Sequence, residues 1–256
     1  MTPDAAFPVL ATLLGLILGS FYNVCIARYE SGLSILRPRS HCPLCGRTLG
    51  PLELVPVLSW LWQRGRCKGC GERISLKYPL VELLSGLWAL LLAIRFGPGW
   101  EWLGHMILGG MLLVASGIDL DNFILPDRLT LSGFPLALGF AALRPDLALS
   151  DAAWGAVAGA GAFKLIQVGY KFLRGVDGLG TGDVKLMLFI GAWLGWQLVP
   201  MAVLVGSVAA LPVGILYALR SKRTGQPAIV PYGPFLSLGA MACVLYGGEL
   251  LKLLTP

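Results

Sequence analysis

Eight long apolar runs, separated by short polar segments, dominate the hydrophobic pattern of this chain. A membrane-spanning helix needs roughly 17 to 25 mostly apolar residues, and most of these runs reach or approach that length. The fourth and sixth runs are the shortest, so their boundaries are the least defined. The pattern predicts an all-α polytopic membrane protein with about eight transmembrane helices. The runs are residues 7–27, 79–96, 102–118, 129–143, 152–172, 184–199, 201–219 and 234–254.

Composition excludes a soluble domain of ordinary surface polarity. Of the 256 residues, 56% are hydrophobic and only 13% are charged, and the mean hydropathy is +0.73; a soluble domain carries about 25% charged residues. No basic residue precedes the first run, and no small-residue cleavage site follows it before Arg28. We therefore expect the first run to be a retained helix and not a signal peptide.

The basic residues predict the orientation of the chain. Nine of the 20 Lys and Arg residues lie between residues 28 and 77. If the spans alternate, most of the others share that side, and only three face the other: Arg95, Arg144 and Lys252. Because basic loops stay in the cytoplasm, both termini are expected outside it. The net charge of +6 is then explained by topology and gives no reason to expect a nucleic acid partner.

Two cysteine pairs in this basic segment predict a metal site. Cys42-Pro43-Leu44-Cys45 and Cys67-Lys68-Gly69-Cys70 can place four thiolates around one structural zinc ion. An iron site with the same ligands stays open, whereas disulfides are disfavoured in a reducing cytoplasm. We expect a small zinc-ribbon insertion between helices 1 and 2, folded largely by its metal.

The predicted domains follow from this insertion. They are a first transmembrane helix (residues 1–27), a cytoplasmic zinc-binding loop domain (28–78) and a membrane-embedded domain (79–256). Between the cysteine pairs, residues 53–62 are apolar but too short to span a membrane. The alternation of Trp60 and Trp62 favours a strand or extended segment over a helix there.

Two acidic motifs stand where apolar runs meet polar breaks. Asp119 directly follows the third run, and Asp127, after Pro126, suits the positive end of the next helix. Asp183 ends Gly180-Thr181-Gly182-Asp183, where a helix cap is its simplest structural role. An acid at the edge of a membrane segment is costly, so each is a candidate functional residue. The predicted topology places Asp119 and Asp183 at one depth, near the cytoplasmic face.

The glycines of the second motif suggest how a peptide could approach. Gly178, Gly180 and Gly182 alternate, which in an extended segment would clear one edge for another backbone. A flexible hinge and a phosphate-binding loop are the alternatives. We assign Gly180, Gly182 and Lys185 to substrate binding.

Together the two acids permit peptide hydrolysis. Two nearby carboxylates do not both ionise easily, so one can take a proton from water while the other protonates the substrate. The sequence contains no His-Glu-x-x-His motif, and its only histidines are His41 and His105. An ion- or proton-coupled transporter with acidic relay residues is the main alternative. A zinc-ribbon adaptor with a membrane anchor would leave the two acids unexplained.

At these residues the chain resembles the type 4 prepilin peptidases, which are bacterial bifunctional leader peptidases and N-methyltransferases. The similarity covers nearly the whole chain in five ordered motifs. They are residues 15–24, the two cysteine pairs, residues 74–82, the Asp119 to Asp127 motif and the Gly180 to Asp183 motif. One departure is Arg28-Tyr29-Glu30, where members usually carry a proline soon after the arginine.

The resemblance implies specific roles. Asp119 and Asp183 match the family's catalytic aspartates, without indicating which is the base. The implied substrates are type IV prepilins or type II secretion pseudopilins, cleaved after a glycine at the bacterial cytoplasmic (inner) membrane. Methylation of the new amino terminus would use S-adenosylmethionine, for which the candidate binding residues are Glu53, Lys77, Tyr78 and Glu82. The partners are thus pilin-like peptides and membrane lipid.

Overall fold

The computed structural model describes residues 3–176, 178–224 and 230–252, which are mostly helical. Three predicted boundaries lie outside these residues. They are the end of the last apolar run at Leu254, the end of the third domain at residue 256 and the start of the first domain at residue 1. One short 3₁₀ helix covers Pro51–Leu54. The α-helices of the described residues are α1 (Pro3–Ser31), α2 (Leu58–Trp62), α3 (Lys77–Phe96), α4 (Trp100–Asn122), α5 (Asp127–Ala141), α6 (Leu149–Arg174), α7 (Thr181–Leu194), α8 (Val199–Thr224) and α9 (Gly233–Lys252).

Every predicted apolar run contains a helix, which confirms the all-α, multi-pass architecture. Five helices of the described residues are long and apolar enough to cross a membrane: α1, α3, α4, α8 and α9. Helices α5 and α7 have only 15 and 14 residues. Helix α6 is long enough, but Lys164 and Gln167 dilute its apolar character. The figure of eight spans stays a prediction.

The chain divides into two compact units, Met1–Val114 and Ala115–Pro256. In the first unit, α1 packs along α3. Their backbones approach closely because α1 carries small residues: a Cβ on Gly19 would lie 2.6 Å from the Glu82 Cα. The Ser85 hydroxyl donates to the Gly15 carbonyl at 2.6 Å. Small residues and interhelical hydrogen bonds hold helices together where lipid removes the hydrophobic driving force.

The insertion between α1 and α3 holds the cysteine pairs. It has no extended ladder, only the isolated bridges His41 to Thr48 and Arg66 to Arg73. The predicted strand at Trp60 and Trp62 is wrong, since both lie in the short helix α2. The Trp60 indole N–H donates to the Ile74 carbonyl at 3.1 Å. This tertiary contact fixes the tryptophan, so its alternation with Trp62 carries no strand signal.

In the second unit, α6 packs on α7, and α7 also contacts α5 and α9. A glycine pair permits the α6 to α7 contact: a Cβ on Gly155 would lie 2.2 Å from the Gly191 carbonyl oxygen. Helix α9 likewise packs against α8. A hydrogen bond from the Gly233 N–H to Asp119 places the first residue of α9 beside the last turn of α4.

Candidate active site

Asp119 lies in the last turn of α4 and is only 5% exposed. Its Oδ2 accepts a hydrogen bond from the Gly233 N–H at 3.0 Å. Gly233 is the first residue of α9, and amides at a helix N-terminus favour a negative partner. The buried carboxylate is therefore held in one orientation by an element 114 residues away in sequence.

The contact between Asp119 and α9 depends on a glycine. A Cβ on Gly233 would lie 2.8 Å from the Asp119 Oδ2 and 2.9 Å from the Leu125 Cδ2. Leu125 is buried. A Cβ added to Gly182 of α7 would lie 2.9 Å from the existing Cβ of Leu125. Leu125 thus fills the space between the starts of α7 and α9, beside Asp119.

Asp183 lies in the first turn of α7. The N-cap residue is Gly180, three positions before Asp183, so the prediction that Asp183 caps the helix is wrong. Asp183 instead accepts a hydrogen bond from the Gly180 N–H, the bond that an acid at the third helical position commonly makes to the cap. The Asp119 charge acts on Asp183 through space, so the second unit brings the two predicted acids within electrostatic range.

The glycine motif differs from the extended segment that its alternation suggested. Helix α7 already begins at Thr181, which places Gly182 inside the helix. Gly178 and Gly180 precede the helix; Gly180 is exposed and has extended dihedral angles, φ −67° and ψ 143°. Only the part of the motif before Thr181 can offer an open backbone edge.

Lys185 and Asp127 form an ion pair, with the Lys185 Nζ 2.7 Å from the Asp127 Oδ1. Asp127 lies in the first turn of α5, as its affinity for a helix N-terminus predicted. The pair joins α5 to α7 close to the two acids in sequence. Because its side chains are 35% and 60% exposed, it contributes about 1 kcal/mol or less.

The two acids have the properties that general acid-base chemistry requires. Both are carboxyl groups in sites of restricted solvent access, and each has a backbone N–H donor of its own. Two interacting carboxyl groups in a medium of low dielectric constant hold one proton between them more readily than none. Such a pair can accept a proton from water and donate one to a substrate.

The four cysteines form a cluster of sulfur atoms. Their sulfur atoms all lie within 4.8 Å of one another, and the Cys42 and Cys70 sulfurs are 3.9 Å apart. Four ligands at a zinc–sulfur distance of about 2.3 Å would be separated by about 3.8 Å. The residues therefore fit a zinc ion. Iron takes the same ligands, and the geometry does not choose between the two.

Two equivalent turns present the sulfurs. In each, the first cysteine donates its N–H to the residue five positions later, Cys42 to Arg47 at 2.9 Å and Cys67 to Glu72 at 2.8 Å. The glycine after each second cysteine has a positive φ, +70° at Gly46 and +74° at Gly71, which side chains rarely tolerate.

At Cys42 and Cys67 the turns also favour the thiolate, the form that binds metal. The N–H groups of Cys70 and Gly69 point at the Cys67 sulfur and lower the pKa of that thiol to about 6. Backbone N–H groups of Cys45 and Leu44 lower the pKa of Cys42 in the same way.

Two of the four predicted cofactor residues are engaged within the protein. Glu53 accepts the Gly50 N–H at 2.9 Å and pairs with Arg47, and these contacts, the Gly50 bond first, lower its pKa. Glu82 accepts the Val57 N–H at 2.7 Å. Val57 has φ +60°, a strained conformation for a β-branched residue, so Glu82 stabilises an unusual turn of the insertion.

The other two residues, Lys77 and Tyr78, are exposed at the start of α3. The Tyr78 carbonyl accepts the Asn23 side-chain N–H at 2.9 Å, which fixes the backbone of this turn on α1. Tyr78 keeps 41% of its surface exposed. A ligand can therefore reach both side chains.

Sequence reasoning missed Gly233 and Leu125 as parts of the site. Both act through contacts that sequence spacing does not reveal. The one available signal was Pro231-Tyr232-Gly233-Pro234 at the start of the last apolar run, because proline after glycine marks a helix N-terminus at the depth of the acids.

Two family descriptions and several relatives match this chain. Residues 13–96 match the bacterial peptidase A24 N-terminal domain, and residues 106–215 match the type IV leader peptidase family. A prepilin leader peptidase/N-methyltransferase of Aeromonas hydrophila is 37% identical over 95% of this chain and 92% of its own length. The protein of that name from Stutzerimonas stutzeri is 34% identical over 96% and 92%.

Pseudomonas putida has a further relative of that name, 37% identical over 96% of this chain and 93% of its own length. No solved structure matches the chain. Both domain matches and the near full-length similarity show that the chain belongs to the bacterial type IV leader peptidase family.

Proposed function

We propose that this protein removes the leader peptide of type IV prepilins with Asp119 and Asp183 as its catalytic pair, and methylates the amino terminus that cleavage exposes. The observation that carries the first activity is the electrostatic interaction between these two acids, one in the last turn of α4 and the other in the first turn of α7. Family membership supports both activities. It also disfavours the transporter and adaptor alternatives.

The cleavage step divides between the two carboxyl groups. The ionised one accepts a proton from a water molecule whose oxygen bonds to the carbonyl carbon of the scissile peptide. The protonated one donates to the carbonyl oxygen and is restored when the tetrahedral intermediate collapses. The leaving nitrogen departs as an amine after taking a proton from the pair. The hydrogen bond from Gly233 holds Asp119 in place throughout.

We infer that the substrate backbone approaches at Gly180. This residue is exposed and extended, and a side chain there would stand 3.1 Å from the Asp183 Oδ2. The absence of a side chain keeps the approach to Asp183 open. Gly182 serves differently, since it lets α7 pack on Leu125. Lys185 borders the same approach through its ion pair with Asp127. Pseudopilins of type II secretion are further substrates of the same chemistry.

The insertion is proposed to serve methyl transfer. Zinc held by Cys42, Cys45, Cys67 and Cys70 would supply folding energy and no reaction step. S-adenosylmethionine, when bound, supplies an electrophilic methyl group to the pilin amine. The exposed Lys77 and Tyr78 suit its carboxylate and adenine ring, respectively. Glu53 and Glu82 contribute by holding the loops of the insertion.

The protein is a multi-pass inner-membrane protein, and we propose that both termini lie outside the cytoplasm. The concentration of basic residues in the cysteine-bearing insertion supports this orientation. It puts the insertion and both acids on the side where a prepilin leader is presented.

Isosteric substitution of the two acids tests the proposal. We expect Asp119→Asn and Asp183→Asn each to lower prepilin cleavage about 10³-fold or more, because an amide neither accepts nor donates the catalytic proton. Cleavage is measured in membranes matched for protein content. Asp146→Asn is the control, since Asp146 is exposed and pairs with Arg144. Cleavage retained by either site variant would refute the assignment.

A further inference from the structure

Gln167 is a buried polar residue that the proposed mechanism leaves without a role. It lies on α6 and is 6% exposed. Its side-chain N–H donates to the Leu179 carbonyl at 2.8 Å. Its own oxygen accepts from the Lys164 Nζ at 2.8 Å, one turn earlier on the same helix. Lys164 is a charged residue inside the apolar run of residues 152–172.

The Leu179 carbonyl and the Gly180 N–H belong to one peptide group. Gln167 binds its oxygen side, and Asp183 binds its N–H side. The peptide is thus clamped between α6 and the acid. A contact of the preceding glycine strengthens the clamp: a Cβ on Gly178 would lie 2.3 Å from the Tyr170 Cδ1, also on α6.

Three hydrogen bonds connect Lys164 to Asp183 in series, and each runs in the same direction from donor to acceptor. They run from the Lys164 ammonium to the Gln167 oxygen, from the Gln167 amide to the Leu179 carbonyl, and from the Gly180 N–H to the Asp183 carboxylate. Aligned donors polarise one another, so each bond strengthens the next. The bond that ends at Asp183 orients its carboxylate.

We propose that Gln167 is a positioning residue for Asp183, acting through the Leu179–Gly180 peptide group and held by Lys164. The proposal rests on the catalytic role assigned to Asp183. Gln167 does not reach the substrate; it fixes the peptide that fixes the acid. A general acid or base displaced by a fraction of an ångström loses rate without losing substrate affinity.

Steady-state cleavage of a prepilin tests this role. Gln167→Met keeps the length of the side chain and removes the donor. We expect its kcat to fall about ten- to hundred-fold while KM stays within about two-fold, because the substitution changes no side chain that contacts the substrate. Gln197→Met is the matched control, since Gln197 is exposed in the α7–α8 connection, and should behave as wild type.

Substitutions of Lys164 separate the hydrogen-bond chain from packing. Lys164→Arg retains a cationic donor and should keep near wild-type kcat. Lys164→Met should lower kcat in the same direction as Gln167→Met, by a smaller factor. A Gln167 that only packs α6 would give no difference between the two Lys164 variants, and that result would contradict the proposal.

Folding is followed in the same preparations by the thermal unfolding midpoint in detergent. If Gln167→Met does not fold, Gln167→Glu replaces it, since it keeps the acceptor for Lys164 but lacks the donor for Leu179. Unchanged kcat, or a rise in KM alone, would overturn the positioning role. If one of these two results is found and Asp183→Asn is inactive, only the role of Gln167 is refuted and the catalytic pair is retained. If Asp183→Asn cleaves the prepilin, the proposed function itself is refuted.

Discussion

At the scale of single residues, the site depends on how backbone groups hold two acids. Asp119 and Asp183 each accept one N–H bond, from Gly233 and Gly180 respectively. Both donors are glycines at helix starts, where amides lack partners within the helix. Orientation by a backbone group leaves no donor side chain to compete with the substrate for the same space.

Gly233→Ala should reduce cleavage about ten- to hundred-fold. The added Cβ would stand 2.8 Å from the Asp119 Oδ2 and 2.9 Å from the Leu125 Cδ2, so the carboxylate must move although the N–H donor remains. The measurement is kcat for prepilin cleavage. Gly248→Ala on the same helix has nothing within 4 Å of its new Cβ and serves as control; equal activity of the two variants would contradict the packing argument.

At the scale of elements, the two cysteine turns are the clearest unit that the sequence predicted. Their ligand spacing and glycines determine local geometry, so no distant contact is needed to recognise them. The segment between them was predicted wrongly, because α2 is stabilised by the bond from Trp60 to Ile74 and not by its own periodicity.

The same distinction explains the acid motifs. Their positions at the ends of apolar runs were visible in the sequence, and the structure places them at the ends of α4 and α7. The N-cap of α7 at Gly180 was not visible in the sequence, since three alternating glycines are equally compatible with an extended strand and with a helix start. Gly233, Leu125 and Gln167 escaped notice because they act on the site across long sequence separations.

Purified protein should contain about one zinc per chain, and Cys67→Ser should lose it. Loss of one of four thiolates opens the site, and the insertion, which has few buried apolar groups of its own, should become sensitive to limited proteolysis between its cysteine pairs. Elemental analysis and protease mapping measure both effects.

Cys25→Ser is the matched control, because Cys25 lies on α1 outside the cluster. Stoichiometric iron in the wild-type protein would replace the zinc assignment. Full metal retention in Cys67→Ser would refute the four-cysteine site itself.

At the scale of the whole molecule, the chain divides into two compact units with different chemistry. The first holds the cysteine site and the proposed methyl-donor residues; the second holds both acids. The two domain matches follow nearly the same division, at residues 13–96 and 106–215. Substitutions in one unit should therefore separate the two activities.

The most direct test of the account is the mass of the pilin amino terminus after membranes are incubated with a prepilin and a labelled methyl donor. Wild-type protein should yield a cleaved, methylated terminus; Asp183→Asn should leave the leader attached, and Cys67→Ser should yield a cleaved, unmethylated terminus. Leader removal by Asp183→Asn would contradict the central claim that Asp119 and Asp183 together cleave the peptide.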